Sequence, residues 1–438
     1  MSSIDYTLVK SLRRQAGDLM SAQSRLAEEI GAPLSTADLR VAARSVIGRL
    51  VLEHNQRQFH NGAYLPSEAD DEALINAVHA AMYGVGRLQP WLEHPDVENI
   101  DINGCDNVFI GYANGKREKV DPVAESDEEL IEDIRTLAAF SGLSSRPLDE
   151  ANPELDLKLP DGSRLSAVIA VAHRPAISIR RARLSRVVLS ELEANGTLTP
   201  QLASFLSAAV RARKNIMIAG ATNAGKTTLL RAMANEIPSD ERLVTVERAL
   251  ELGLHEFEDL HPDVVALEER LPNSEGEGRV SMADLVRRSL RMNPSRVIVG
   301  EVLGDEIVSM LNAMSQGNDG SLSTIHANSS RDVFEKISTY AVQAAERLSN
   351  EASQRLIAGA VEFVVYIKRV RDPLTGDMRR RVISVREVNG IDGGVLSSEV
   401  FELRGGEVQE GAVISDRRLE ELLEHGYNPN QGLGGWTA

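Results

Sequence analysis

The sequence predicts an α/β fold whose C-terminal half is a parallel sheet covered by helices. From Pro200 onward, short apolar segments typical of buried strands alternate with segments of helical periodicity. Residues 84–183 contain strand-like runs separated by turn residues, and residues 1–80 have the periodicity of helices. The chain has 438 residues, which is too many for one hydrophobic core, so two or three domains are expected.

The first 80 residues are predicted to form a small helical module. Ser35 and Asp38 make a capping signal that predicts the start of one helix, because a serine side chain and an acid three residues later can satisfy the first backbone N–H groups. Pro66 and Ser67, followed by Glu68, predict the start of a second helix.

Residues 81–183 are predicted to form a small α/β domain. Its strand-like runs are separated by turns such as Asn103-Gly104, and an acidic helix around Asp127–Phe140 lies between them. The predicted strands are Val97–Ile102, Val108–Tyr112, Leu155–Leu159, Arg164–Val171 and Ala176–Arg180. Residues 184–198 are predicted to be a linker.

Residues 199–427 are predicted to form the helix-flanked sheet, and residues 428–438 a flexible, glycine-rich tail. The predicted strands are Ile216–Ala219, Leu243–Val246, Val297–Val299, Leu322–Ile325, Phe363–Lys368, Val382–Val388 and Val400–Leu403. Leu419–Glu424 is predicted to be the last helix.

Composition narrows the class of protein. The net charge of −17 argues against a broad basic surface, so no nucleic-acid partner is expected. The basic runs at 180–183 and 379–381 are interpreted as solvated faces. The single cysteine, Cys105, cannot form an internal disulfide, and neither a bilayer-spanning apolar run nor a signal peptide is recognised. A cytoplasmic protein is therefore expected.

The strongest functional signal is a complete phosphate-loop pattern. It consists of Gly220, Ala221, Thr222, Asn223, Ala224, Gly225, Lys226, Thr227 and Thr228. An apolar strand-like segment precedes it and an amphipathic helix follows, which is the context that separates a phosphate loop from a chance match. The sequence therefore predicts binding of a nucleoside triphosphate.

The parts of this loop have different predicted roles. Its backbone N–H groups and the positive end of the following helix dipole would surround the phosphates. Lys226 would reach the β- and γ-phosphates, and the Thr227 hydroxyl would take a position on Mg²⁺. ATP and Mg²⁺ are the expected ligands.

Three downstream residues complete the predicted site. Glu301 ends an apolar segment, as in a Walker B strand, and would hold Mg²⁺ through water and orient the attacking water. Glu247 ends another apolar segment, and the carboxyl ends of parallel strands meet at one edge of the sheet. His326 ends a third and would contact the γ-phosphate.

These segments resemble the Walker A, Asp box, Walker B and His box of secretion ATPases, the hexameric motors of type II secretion, type IV pili and type IV secretion. Among them the chain is most similar to the CpaF-like branch, which serves tight-adherence (Flp) pilus assembly. That similarity is carried by Gly84–Pro90 with Asp96–Gly104, by Leu159–Arg164 and by Pro272–Gly278. It covers roughly residues 80–387.

The resemblance implies a PAS-like N-terminal domain, a RecA-like C-terminal domain and a ring of six protomers with ATP between the domains. It also implies that Arg164 and Arg180 approach the γ-phosphate, where guanidinium groups neutralise developing charge. Arg181 is a weaker candidate. The implied partner is a polytopic inner-membrane protein, through which pilin subunits are moved and the motor is held at the inner face of the membrane.

The chain departs from the family pattern at four positions. Asn223 and Ala224 replace the usual Gly-Ser inside the phosphate loop. Arg248 replaces the second acid of the Asp box, and Leu303 replaces an arginine that usually follows Gly-Glu. A compensating exchange of a cation between neighbouring strands would explain the last two departures.

Three alternatives to a pilus motor follow from the sequence. An ATPase of a type IV secretion or conjugation apparatus shares every box. A scaffold that binds ATP with little turnover is suggested by Arg248 and opposed by Lys226, Glu301 and His326. A RecA-type helicase is opposed by the acidic charge and the low aromatic content.

Overall fold

The structure, a computed structural model, describes residues 4–29, 35–62, 66–141, 148–159, 161–181, 186–270, 272, 276–371, 376 and 378–431. The chain forms two compact units, Met1–Ala182 and Arg183–Ala438. We call them the N-terminal unit and the C-terminal unit.

The N-terminal unit begins with three helices that pack around a shared apolar core. Its helices are α1 (Tyr6–Glu29), α2 (Thr36–His60), α3 (Glu68–Tyr83), the short α4 (Gln89–Glu93) and α5 (Asp127–Ser141). Both predicted helix starts are confirmed: Ser35 caps α2 in a capping box with Asp38, and Ser67 caps α3 in one with Asp70. Val9, Ile47 and Val78 are buried where the three helices meet.

The same unit contains an antiparallel sheet. Its strands are β1 (Val97–Asn103), β2 (Val108–Tyr112), β3 (Arg117–Val120), β4 (Glu154–Lys158), β5 (Arg164–Val168) and β6 (Ala176–Arg180). They are arranged in the order β3-β2-β1-β6-β5-β4. Strand β3 was not predicted, because Arg117–Val120 has no buried residue and so lacks the apolar signal of a strand. The PAS-like assignment of this domain stays a prediction.

The C-terminal unit alternates strands and helices. Its helices are α6 (Leu189–Ala194), α7 (Pro200–Arg211), α8 (Lys226–Ala234), α9 (Met282–Ser289), α10 (Glu306–Ser315), α11 (Asp332–Gln343), α12 (Asn350–Ala360) and α13 (Asp416–Glu424). Its strands are β7 (Ile216–Gly220), β8 (Leu243–Glu247), β9 (Val264–Glu268), β10 (Arg296–Val302), β11 (Leu322–His326), β12 (Phe363–Arg371), β13 (Met378–Ile391), β14 (Val395–Arg404) and β15 (Glu407–Glu410).

These strands form one mixed sheet in the order β15-β14-β13-β12-β7-β11-β10-β8-β9. The strands from β12 to β9 in this order pair in parallel, and β13, β14 and β15 add antiparallel. The predicted parallel sheet is therefore present and is extended by an antiparallel edge. Strands β9 and β15 were not predicted. Strand β15 is mostly polar, whereas β9 contains an apolar run that the prediction did not use.

Both faces of the central strands are buried, as expected for a sheet covered by helices on two sides. Along β7, Ile216 and Ile218 enter one apolar cluster and Met217 and Ala219 enter the other, because successive side chains point to opposite faces. The loops that follow the carboxyl ends of β7, β8, β10 and β11 consequently gather at one edge of the sheet.

The segment predicted to be a linker has a different structure over its described part. Residues 184–185 lie outside the described residues, but Leu189–Ala194 forms α6, and Val187, Leu189 and Leu192 are buried in the C-terminal unit. Their apolar side chains pack against that core, which explains why the segment is helical. Residues 432–438 of the predicted tail also lie outside the described residues.

Among the described residues, no helix combines the length and the apolar character needed to cross a bilayer.

Candidate functional site

The phosphate-loop sequence forms the predicted strand, turn and helix. Strand β7 ends at Gly220, the turn covers residues 221–225, and α8 begins at Lys226. The first N–H groups of a helix lack intrahelical acceptors and lie at the positive end of its dipole, so the start of α8 suits an anion. Thr227 is half-buried in the first turn of α8, and Thr228 beside it is exposed.

Two residues of the turn have left-handed backbone conformations. Gly225 has φ 101° and Asn223 has φ 60°. Asparagine tolerates this region better than other residues with a side chain, so Asn223 can replace the usual glycine of the family pattern without changing the turn. Gly220 is required for another reason, because a Cβ atom there would overlap the carbonyl oxygen of Ile367 on β12.

Lys226, Glu301 and His326 meet directly at the carboxyl edge of the sheet. Lys226 Nζ lies 3.4 Å from Glu301 Oε1, and His326 Nε2 lies 2.8 Å from the same oxygen. Lys226 Nζ also lies 3.2 Å from His326 Nδ1. A neutral imidazole with its proton on Nε2 satisfies both contacts, since it donates to Glu301 and accepts from Lys226.

This triangle of side chains follows from the strand order. Strand β11 lies between β7 and β10, and His326 is paired with Gly220 at the end of β7. Lys226, which opens α8, is only 6% exposed, so its ammonium group is held against the two strand-end side chains. The three residues that sequence motifs singled out separately are thus one cluster.

Glu247 lies beside this cluster and is nearly fully buried. A Cβ atom on Gly300 would lie only 2.9 Å from Glu247 Cγ, so glycine is needed immediately before Glu301. Glu247 Oε2 accepts hydrogen bonds from the backbone N–H groups of Glu251 and Leu252, each 2.8 Å. Glu247 Oε1 has no hydrogen-bond partner among the described residues.

Burial raises the pKa of Glu247 from 4.5 to about 7, because desolvation penalises the carboxylate. The two backbone hydrogen bonds and the nearby Arg231 act in the opposite direction, and Glu251 adds to the increase. Arg231 lies on α8 and donates to the backbone carbonyl of Glu251. Catalytic carboxyl groups often have a pKa that their surroundings shift toward neutral pH. The raised pKa is therefore consistent with Glu247 as a candidate site residue.

Arg164 and Arg180 lie in the N-terminal unit. They are directly opposite each other on the paired strands β5 and β6, so their side chains share one face of that sheet. Arg164 is half-buried and Arg180 is exposed. Arg181, the weaker candidate, donates to the backbone carbonyls of His94 and Val97, which indicates a structural role.

Arg248 directly follows β8, and Leu303 directly follows β10. These two strands are neighbours, since Val246 is paired with Val299. Arg248 Nε is 3.7 Å from Glu269 Oε2, and the Arg248 side chain is 47% exposed. The backbone N–H of Leu303 donates to Glu306 at 2.6 Å. The compensating exchange between Arg248 and Leu303 stays a hypothesis.

Sequence reasoning missed Arg380, which it treated as part of a solvated run. Arg380 lies on β13, and its Nε donates to the carbonyl oxygen of Asn223 in the phosphate loop, 3.3 Å away. The alternation of β13 was the available signal, because it separates Arg380 from Arg379 and Arg381 on the two faces of the strand.

The residues around the phosphate loop fit the expected ligands, Mg²⁺ and ATP. Among the described residues, no group of three or more His, Cys, Asp or Glu side chains is arranged to hold a metal ion. Mg²⁺ in phosphoryl-transfer sites is usually held by one or two protein oxygens together with substrate phosphates. Thr227 and Glu301 could supply such oxygens, and the unbonded oxygen of Glu247 is a buried acceptor nearby.

Comparisons with known proteins identify related chains. A family model described as "Type II/IV secretion system protein" matches residues 89–389. A Mycobacterium tuberculosis protein (strain CDC 1551 / Oshkosh), described as "Putative conjugal transfer protein", is 31% identical over 357 residues, which cover 79% of this chain and 97% of the relative.

Type IV secretion system protein VirB11 of Brucella suis biovar 1 is 29% identical, over 68% of this chain and 88% of the relative. The crystal structure of the Brucella suis VirB11 ATPase in complex with sulphate is 30% identical, covers 68% of this chain and 94% of its own, and superposes with a TM-score of 0.36.

Proposed function

The chain belongs to the type II/IV secretion system ATPase family, and from that membership we propose that it is an ATP-hydrolysing motor that works as a ring of six protomers. The observation that carries the proposal is the contact of Lys226 with both Glu301 and His326 beside a formed phosphate loop.

The proposed mechanism begins with the ion pair between Lys226 and Glu301. A triphosphate in the loop would attract the ammonium group of Lys226 away from Glu301, because three phosphate oxygens carry more charge than one carboxylate. Glu301 would then be available to orient and deprotonate the attacking water. His326 would keep Glu301 in position through the 2.8 Å contact.

Mg²⁺ would neutralise phosphate charge at this edge of the sheet, with the Thr227 hydroxyl as a ligand and Glu301 holding the ion through a water molecule. Glu247 would support this region as a buried carboxyl group next to Gly300. Arg164 and Arg180 would contribute guanidinium groups from the N-terminal domain to the γ-phosphate. Contacts that exist only with the γ-phosphate would couple its loss to a rotation between the RecA-like and PAS-like domains.

By its family resemblance, the motor would drive assembly of a tight-adherence pilus. It would act from the cytoplasm at the inner face of the membrane, through a polytopic partner that moves pilin subunits. The segments that favour this branch of the family are Gly84–Pro90 with Asp96–Gly104, Leu159–Arg164 and Pro272–Gly278.

A second candidate function is a type IV secretion or conjugation ATPase. It is favoured by the names of the relatives, a conjugal transfer protein and VirB11. The two functions can be separated with the membrane protein encoded beside this chain, which is either a pilus platform or a conjugation component. The mass of the assembly and the ATPase rate are measured with and without that protein. The functional partner should increase both the fraction of hexamer and the rate of phosphate release.

The test of hydrolysis is phosphate release by the purified protein, with Lys226→Ala as the blank. We expect the variant to lose at least about a hundredfold of the rate, since it removes the cation that holds the β- and γ-phosphates. Equal rates in the two proteins would instead favour the scaffold that binds ATP with little turnover.

A further inference from the structure

The paired ends of β12 and β13 concentrate positive charge next to the phosphate loop. The basic residues of these two strand ends are Lys368, Arg369, Arg371, Arg379, Arg380 and Arg381. All six carry positive charge, whereas the chain as a whole has a net charge of −17. We call it the basic strand pair.

The register of the two strands divides these residues between two faces. Arg369 is directly opposite Arg380, and Lys368 is directly opposite Arg381. Since side chains alternate along a strand and opposed residues share a face, Arg369 and Arg380 lie on the same face as Ile367. The side chain of Ile367 packs near Gly220 and Gly225, so this is the face toward the phosphate loop.

Arg380 contacts the loop itself. Its Nε donates to Asn223 O at 3.3 Å, and its Cδ lies 2.9 Å from the position of a Cβ atom on Gly225. The guanidinium carries two Nη groups in addition to the Nε atom that makes this contact. A guanidinium is suited to bidentate binding of phosphate oxygens.

Arg380 approaches the loop from the side opposite to the catalytic cluster. In the sheet, β12 and β13 lie on one side of β7, and β11 and β10 lie on the other. Glu301 and His326 are on the second side, and they contact the lysine that would hold the γ-phosphate. Arg380 would therefore lie near the end of a bound nucleotide that is remote from the γ-phosphate.

We propose that Arg380 is a nucleotide-binding residue that holds the α-phosphate of the bound nucleotide, with Arg369 adding positive charge on the same face. The inference depends on the proposed ATP binding and extends it to a residue outside the sequence motifs. Because ADP and ATP both carry an α-phosphate, Arg380 contributes equally to the binding of both.

The test uses Arg380→Gln. The Nε2 atom of glutamine is the same number of bonds from Cα as the Nε atom of arginine, so the variant can keep the hydrogen bond to Asn223 O while it loses the Nη groups and the charge. The matched control is Arg379→Gln, which removes the same charge from the opposite face of the same strand. Dissociation constants for ADP and a non-hydrolysable ATP analogue, kcat and KM, and the melting temperature without nucleotide are measured for each.

For Arg380→Gln we expect binding of both nucleotides to weaken about tenfold, as loss of a charge-assisted hydrogen bond implies. KM should rise with kcat unchanged, since the contact is the same in the ground and transition states. The melting temperature without nucleotide should stay that of the wild type. Arg379→Gln should bind both nucleotides as the wild type does.

Four results would overturn the inference. These are unchanged affinity in Arg380→Gln, an equal loss in Arg379→Gln, a loss for the ATP analogue alone, or a lower melting temperature that accompanies the loss of affinity. The last would mean that Arg380 acts only by holding the loop. If the wild-type protein binds neither nucleotide, the proposed function fails as well. If the wild type binds nucleotide, Lys226→Ala abolishes this binding and Arg380→Gln preserves it, only the role of Arg380 is refuted.

Discussion

The buried carboxyl group of Glu247 makes the stability of the nucleotide-free protein depend on pH. Glu247 is only 4% exposed, and burial raises its pKa from 4.5 to about 7. An acid with a raised pKa in the folded state binds its proton more tightly there than in the unfolded chain. Its contribution to stability is therefore complete below about pH 4.5 and is lost as the pH rises through about 7.

The size of the effect follows from these two values. The difference between 4.5 and about 7 corresponds to about 3 kcal/mol in the free energy of unfolding. Between pH 5 and pH 8, the wild type should lose about 2.5 kcal/mol of this contribution. In a unit of this size, that equals a decrease of on the order of 7 °C in melting temperature.

The perturbation is Glu247→Gln, which has the shape of the protonated carboxyl group and does not titrate. Melting temperatures of the nucleotide-free wild type and variant are measured at several values between pH 5 and pH 8. All other titrating groups are shared, so the difference between the two proteins isolates Glu247. The melting temperature of the variant should exceed that of the wild type increasingly as the pH rises. Parallel pH profiles for the two proteins would refute the reasoning.

Two further predictions concern the carboxyl edge of the sheet. Glu301→Gln should reduce phosphate release by at least about a hundredfold while ATP still binds, because it removes the base and not the phosphate loop; a rate near that of the wild type would contradict the assigned role. Arg248→Asp should lower the hydrolysis rate but change the free energy of unfolding by less than about 1 kcal/mol, since the Arg248 side chain is 47% exposed and its contact with Glu269 spans 3.7 Å. An unchanged rate in Arg248→Asp would refute the exchange of a cation with position 303.

Local sequence signals were sufficient to predict the structure where a short segment determines its own conformation. The capping boxes at Ser35 and Ser67 and the left-handed turn of the phosphate loop depend on residues close together in the chain. Strands such as Ile216–Gly220 are apolar throughout, because both faces of the sheet are covered. Strands β3, β9 and β15 were missed. Strands β3 and β15 are mostly polar and carry no strand pattern, whereas the apolar run of β9 is a strand signal that the prediction did not use.

The motifs also singled out Lys226, Glu301 and His326 as candidate functional residues, but they did not predict the network among them. The contacts at 2.8–3.4 Å arise because β11 lies between β7 and β10, an order that no local pattern encodes. The same applies to Arg380, which is 155 positions beyond Gly225 and reaches the loop only because β12 pairs with β7 and β13 with β12.

Residue chemistry along the chain was therefore enough to identify a phosphate loop, its strand-end acids and its family. The raised pKa of Glu247 and the placement of Arg380 required the folded sheet, because desolvation and contact depend on which distant segments become neighbours. Sequence patterns report the conformation of each segment, whereas the pairing of strands sets the distances on which the chemistry depends.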